Sequence, residues 1–320
     1  MSGRAPLDLL TFGEALVEVM RVETGVMLDV PGTFTGPYPS GAPFIFAMQA
    51  ARLGARVGAI GGVGADVFGR FLNDRLEADG VDTAHLHTIP GWTTGVAFVA
   101  YRHDGTRDFL YHIAHAAAGQ IDATMLNPSA FEGLKCLHIM GSTLSMHADA
   151  LAMGMRALEM ARAAGAKISF DPNLRPQLMS VETARLAFYP VLLAADVLLP
   201  TVEEIRLLTG EVTLVGAIAA LLRPGRVIVV TEGAAGCAVF TTDHPEGVHV
   251  PGFAVEEVDP TGAGDCFDAG FLVRWLEGAD PVEAARFANA CGALAVTRRG
   301  PAEGAMPRHV VEQFLRDQSS

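Results

Sequence analysis

Apolar runs and amphipathic stretches alternate along nearly the whole chain. Short runs dominated by aliphatic residues and Phe at 7–12, 56–61, 136–140, 167–171, 197–199 and 226–231 have the length and composition of buried strands. Between them, apolar residues recur every three or four positions at 43–53, 68–79, 148–164, 181–194 and 202–209, and again at 263–276 and 281–297. That spacing predicts helices. Strands alternating with helices need crossover connections, which pair the strands in parallel. The expected fold class is therefore α/β, a doubly wound, mostly parallel sheet with helices on both faces. No repeat, low-complexity tract or Pro/Gly/Ser-rich linker divides residues 1–320, so one domain is expected.

Two stretches break the alternation. Residues 94–101 and 107–112 read as strands around His103-Asp104-Gly105-Thr106, and Asp-Gly between strand-like runs signals a hairpin. Residues 26–38 are extended and rich in Gly and Pro. Segments of about 16–40 and 92–115 are thus expected to form a small inserted β-sheet lid over a cleft.

Half of the 320 residues are hydrophobic and 18% are charged, enough apolar material for a large core. A formal charge of −13 disfavours nucleic acid and anionic membranes as partners. Cys136, Cys237, Cys266 and Cys291 are scattered without metal-ligand spacing and read as reduced thiols of a cytoplasmic protein. No leader is expected before the first strand, and no apolar run is long enough to span a membrane.

The most informative stretch is Asp259-Pro260-Thr261-Gly262-Ala263-Gly264-Asp265, followed by Phe267, Phe271, Leu272, Trp275 and Leu276 at helical spacing. The small residues therefore sit at a helix N-terminus, where free N–H groups and the helix dipole favour an anion. Asp265 at the mouth of such a site suits a division of labour. The N–H groups hold a transferring phosphoryl group, and the carboxylate takes a proton from the attacking hydroxyl. A plain Gly-rich turn with Asp265 at a helix start is the alternative. No Gly-Lys-[Ser/Thr] follows, so this is not a Walker A loop. Residues 58–69 invite a dinucleotide-binding reading after a strand, but Gly62 and Gly64 lack a third Gly at Val67.

The 259–265 heptapeptide resembles the second signature of the ribokinase/PfkB family of carbohydrate kinases. Gly64-x-Asp66-x-x-Gly69 resembles the first. Ser40-Gly41-Ala42-Pro43 is similar to the family's sugar loop, and Thr231-Glu232-Gly233-Ala234-Ala235-Gly236 to its nucleotide loop. Asp171-Pro172-Asn173-Leu174-Arg175 resembles fructokinase-like and 2-keto-3-deoxygluconate-kinase-like members. The resemblance runs from about residue 7 to about 316. It implies an ATP-dependent sugar kinase with Asp265 as base and Gly262, Ala263 and Gly264 as the anion site. It implies sugar contacts from Glu18, placed at the end of the first strand, and from Ser40 and Gly41. Arg107 and Arg175 are candidates for meeting an anionic or polyhydroxy ligand, with a solvated surface arginine as the alternative. Nucleotide contacts would come from Thr231, Gly233, Gly236, Gly262, Gly264 and Asn289. Glu204 would meet Mg²⁺ through water, and carbonyls near Asp259, Thr261, Ala295, Arg298 and Gly300 would ring K⁺. Homodimers through the lid are also implied. His112 and His115 are candidate sugar contacts beside the hairpin, whereas His85-x-His87 lacks a third ligand for a metal.

Three departures bear on substrate. Ile45 stands where the sugar loop usually carries Asn, Glu18 where ribokinase and fructokinase carry Asp, and Thr201 opens the usual Asn-x-x-Glu segment. Gly13–Met20 and Gly36–Pro43, with 289–300, are similar to a bacterial tagatose-kinase and ribokinase subgroup. A tagatose- or fructose-like ketohexose is therefore expected ahead of 2-keto-3-deoxygluconate, ribose or a nucleoside. The competing classes are a nicotinamide-dependent oxidoreductase and a catalytically silent sugar sensor.

Overall fold

The computed structural model describes residues 5–318. The leader expectation concerns a terminus whose residues 1–4 lie outside those described. The strands are β1 (Leu9–Glu14), β2 (Leu16–Arg21), β3 (Phe34–Ser40), β4 (Val57–Gly64), β5 (Leu86–Ile89), β6 (Gly95–Tyr101), β7 (Arg107–His112), β8 (Cys136–Met140), β9 (Lys167–Asp171), β10 (Val197–Leu198), β11 (Val227–Thr231), β12 (Gly236–Phe240) and β13 (Val248–Pro251). The helices are α1 (Ala42–Arg52), α2 (Val67–Asp79), α3 (Gly141–Leu144), α4 (Ala148–Ala163), α5 (Val181–Ala194), α6 (Val202–Thr209), α7 (Leu214–Leu221), α8 (Ala263–Leu276), α9 (Pro281–Ala295) and α10 (Arg308–Asp317).

Nine strands form the main sheet in the order β13-β12-β11-β10-β9-β8-β1-β4-β5. Pairing is parallel from β5 to β11 and antiparallel through β12 and β13. Alternate residues of one strand enter different cores. Val227 and Val229 join the core built with α1, α8 and α9, while Ile228 and Val230 join the one built with α4 to α7. Both faces are covered, which is why these strands read as continuous apolar runs.

A second sheet has the order β3-β2-β6-β7. The chain passes from β1 in the main sheet to β2 in the small one across the single residue Ala15. Here the first-strand expectation needs correction. The strand spans 9–14 rather than 7–12, and Glu18 lies in β2, not at the end of β1. Apolar residues continue through the switch, so periodicity alone cannot see it. Gly13 permits it with φ 151, because a Cβ there would stand 2.2 Å from Thr143 Oγ1. All four small-sheet strands meet the main body at one end. Leu16 pairs with both Ser40 and Gly95, and Val96 pairs with His112. Asp66 braces that end. It caps α2 at Gly69 N–H (2.9 Å) and accepts from the Thr94 N–H and hydroxyl, both at 2.7 Å.

Of the stretch 26–38, only residues from Phe34 onward form a strand. The short strands β5, β12 and β13 and the helices α3, α7 and α10 are additional to the expected set.

Candidate active site

The concave face of the small sheet follows from its period of two. Leu16 and Glu18 of β2, Ala97 of β6, and Arg107, Phe109 and Tyr111 of β7 all line one cleft of about 740 Å³ against the C-terminal ends of the main strands. Ile45, Asp171, Arg175, Glu204, Thr231, Thr261, Gly262, Gly264, Asp265 and Asp268 line it from the other side. A ligand crevice at the carboxyl ends of parallel strands is the usual placement in such sheets.

Gly262 is the N-cap of α8 at φ 82, and a Cβ there would fall 2.1 Å from Pro301 O. Only glycine fits. No side chain caps α8. Gly264 is exposed, with nothing within 4 Å of the position a Cβ would take. Ala263 N–H donates to Pro260 O at 3.4 Å, and the N–H groups of Gly264 and Asp265 are the ones that open towards the cleft as an anion site. Asp265, in that same turn, is buried, and burial raises its carboxyl to about 7, against the opposing charge of Arg175. A carboxylate poised near neutrality is a competent base.

Glu18 is also buried, and burial together with the charge of Asp259 pushes it up to about 8. One oxygen accepts from Ser40 Oγ at 3.2 Å, while Oε1 has no protein partner. Glu18 lines the cleft, so this oxygen is a candidate partner for a ligand hydroxyl. Ile45 packs beneath, its Cγ2 3.1 Å from the position a Cβ on Gly262 would occupy.

Asp171 is held up by burial and by the neighbouring Glu204 and Asp265. Its oxygens accept from Asn173 N–H (2.9 Å) and Nδ2 (3.1 Å), a turn in which Asn173 takes φ 36. Glu204 completes a capping box on α6 with Thr201 and accepts from Leu174 N–H at 2.8 Å. Asp268, one turn beyond Asp265, is raised by burial and by Asp171, and its Oδ2 has no protein partner. His138 Nε2 lies 3.7 Å from that oxygen, but burial lowers the ring to about 3, so the imidazole carries no charge there at neutral pH. Oxygen donors of this kind, partly unsatisfied, suit a hard divalent cation that keeps its waters.

Not every expected residue lines the cleft. Gly233 is exposed in the turn before Gly236, next to the lining residue Thr231. Asn289 spends its amide on Val250 O (3.0 Å) and Pro251 O (3.1 Å). Segments 258–261 and 295–300 do meet. Val258 and Asp259 N–H groups donate to Val296 O, and Asp259 Oδ2 accepts from Gly300 N–H at 2.8 Å. Ala295 is buried, whereas the side chain of Arg298 is exposed. His112 and His115 line a second groove with Asp66 and Phe68, which shares Tyr111 and Ile113 with the main cleft but neither histidine. They are not placed for a sugar in the main cleft. Among the described residues no His/Cys/Asp/Glu group is arranged to hold a metal by itself.

The sequence gives no role to Glu14 or Asp268, and Asp171 enters only as part of a family motif. Glu14 is buried, raised by burial, and accepts from Ser142 Oγ (3.0 Å) and Thr143 Oγ1 (2.7 Å). An acid inside an apolar strand was the available signal.

Residues 7–308 match the profile of the pfkB family carbohydrate kinase. Fructokinase-1 of Oryza sativa subsp. japonica is 34% identical over 310 residues, covering 94% of each chain. An E. coli protein provisionally called ribokinase II, solved with ATP and Mg²⁺, superposes with a TM-score of 0.92 at 40% identity, over 97% of this chain and 99% of that one. A fructokinase from Vibrio cholerae O395, solved with fructose, ADP and calcium, gives 0.82 at 29% identity, over 97% and 99%. Site, fold and relatives agree, and the chain belongs to the pfkB family of carbohydrate kinases.

Proposed function

We propose that this carbohydrate kinase transfers the γ-phosphoryl group of ATP to a hydroxyl of a fructose-like ketohexose bound between the small sheet and α8. The observation that carries the reading is the pairing of a buried Asp265, raised to about 7, with the uncapped N-terminus of α8. The names of the relatives support the sugar class.

The sugar hydroxyl lies against Asp265, which accepts its proton as the oxygen attacks phosphorus. The bond to the ADP oxygen breaks, and ADP leaves with the electron pair. N–H groups of the first turn of α8 hold the charge on the transferring group. Glu18, protonated at neutral pH, and Ser40 and Gly41 beside it, contact sugar hydroxyls. Arg175 lowers the Asp265 carboxyl and faces the same ligand. Thr231 and the Gly233–Gly236 turn border the nucleotide. Mg²⁺ arriving with ATP would supply charge neutralisation, and Asp171, Glu204 and Asp268 would hold it. Carbonyls of Asp259, Thr261, Ala295, Arg298 and Gly300 would hold K⁺.

The small sheet acts as a lid, excluding water from the phosphoryl group. Phe34 and Leu110, exposed on that sheet, support a homodimer through it, which sedimentation would test. Among the described residues no helix is long and apolar enough to cross a membrane. Four free, buried cysteines support a cytoplasmic setting.

The test is ADP release from MgATP with K⁺, across fructose, tagatose, ribose, 2-keto-3-deoxygluconate and adenosine. Turnover confined to a ketohexose is expected. Preference for the sugar acid or adenosine would overturn the substrate class, and turnover on none would overturn the kinase reading.

A further inference from the structure

Two side chains leave the concave face of the small sheet at its free end. Tyr101 and Arg107 are register partners there. Tyr101 Oη donates to Asp259 Oδ1 at 2.6 Å, and Arg107 Nη1 donates to Thr261 Oγ1 at 2.9 Å. Asp259 is only 1% exposed. Its Oδ1 also accepts from Thr261 N–H (3.0 Å), and its Oδ2 from Gly300 N–H (2.8 Å). One buried carboxylate thus gathers donors from the small sheet, the loop before α8 and the loop after α9. A buried carboxylate is tolerated only while its oxygens are supplied with donors. Without the tyrosine hydroxyl, Asp259 Oδ1 is left with the Thr261 N–H, and the loop it anchors leads directly into Gly262 and the open N–H groups of α8.

We propose that Tyr101 is a positioning residue for phosphoryl transfer, holding Asp259, and through it the 262–265 anion site, when the small sheet covers the cleft. The catalytic half of this proposal rests on the kinase reading above. Tyr101 touches no reacting atom; it acts through Asp259. Arg107 reinforces it by fixing the Thr261 hydroxyl, so the arginine assigned to sugar from the sequence spends one of its nitrogens on the loop. Phe109 lies under that guanidinium, 5.5 Å from its centre, and steadies it.

Tyr101→Phe keeps the ring and removes only the hydroxyl, so folding is not at stake. Amide hydrogen exchange of the unliganded protein is the first readout. Exchange at Thr261 and Gly300 should quicken by about ten-fold, while α4 keeps its wild-type rates. In turnover, kcat should fall by about ten-fold with the sugar KM within about two-fold of wild type. Unchanged protection at Thr261 and Gly300 overturns the proposal. So does a rise in sugar KM at constant kcat, which would make Tyr101 a binding residue. If the wild-type protein phosphorylates no sugar, the kinase reading fails, and the exchange rates still decide whether Tyr101 orders the loop.

Discussion

Replacing Asp265 by Asn should cripple the enzyme and stabilise the protein together. Burial raises this carboxyl from its ordinary 3.8 to about 7. A group that binds its proton more tightly when folded costs stability as pH rises from 3.8 to about 7, and costs nothing further above that. At about 1.4 kcal/mol per pH unit, that gap amounts to roughly 4 kcal/mol. Asp265 lines an open cleft that water enters, which screens the charge, so about half of that, ~2 kcal/mol, is the expected penalty. Asparagine carries no charge. Asp265→Asn should therefore be ~2 kcal/mol more stable than wild type at pH 8, with the difference shrinking towards zero near pH 4. Scaled to 320 residues, the unfolding entropy turns this into about 3 °C in Tm. Over the same pH range kcat should drop by about 10²–10⁴, the usual contribution of a general base, with ATP affinity retained. Thermal unfolding across pH, coupled ADP release and ATP titration of one preparation check all three. Lost turnover without a pH-dependent gain in Tm would refute the argument that burial poises the base. Retained turnover would remove Asp265 from that role.

Other consequences follow from the same geometry. Arg175 lowers the Asp265 carboxyl, so Arg175→Gln should move the acidic limb of kcat/KM to higher pH; a stationary limb in the pH profile would separate the two residues. Glu18, at about 8, is protonated at neutral pH. Glu18→Gln should hold the sugar KM within about three-fold at pH 7 and abolish any rise above pH 8, whereas Glu18→Ala should raise it about ten-fold through the lost hydrogen bond. Steady-state KM values for sugar and ATP, measured in parallel, decide whether the effect is confined to sugar. Gly262→Ala must place a Cβ 2.1 Å from Pro301 O at φ 82, and should cost more than about 1–2 kcal/mol of stability along with ATP turnover; normal unfolding and activity would show that the cap relaxes freely. Asp66→Ala strips three donors of their acceptor and should destabilise by about 3 kcal/mol in chemical unfolding, with the sugar KM raised because the base of the small sheet loosens.

Local pattern carried the interior of the main sheet. β8, β9, α5 and α6 lie where the apolar runs and helical spacing put them, because each is buried or amphipathic along its own length. β5 has four residues, β13 starts after a turn, and α7 is an apolar octapeptide that periodicity cannot assign to strand or helix until Thr213 caps it. In the cleft, the positions of Asp265, Glu18 and Glu204 were legible because motif and acid coincide. Glu14 was not, since its meaning comes from Ser142 and Thr143, nearly 130 residues away. Asp268 sits in a helix that reads as core, and only the approach of Asp171 and His138 gives it a setting. Tyr101 reads as an ordinary strand aromatic until Asp259, 158 positions later, comes within reach of its hydroxyl.

Because the connections of the small sheet to the main body gather at Leu16, Ser40, Gly95 and His112, any tilt of that sheet as a lid would have its fulcrum at that end. β2 has six residues, so the arm is about 20 Å long. A rotation of only about 10° at the fulcrum swings the tip by roughly 3.5 Å. Tyr101 sits at that tip, and its bond to Asp259 is 2.6 Å long, so a turn that barely widens the cleft near Ala15 already breaks it. Were the sheet to tilt there as a lid, the Tyr101–Asp259 contact would be lost well before the cleft opened wide at its base.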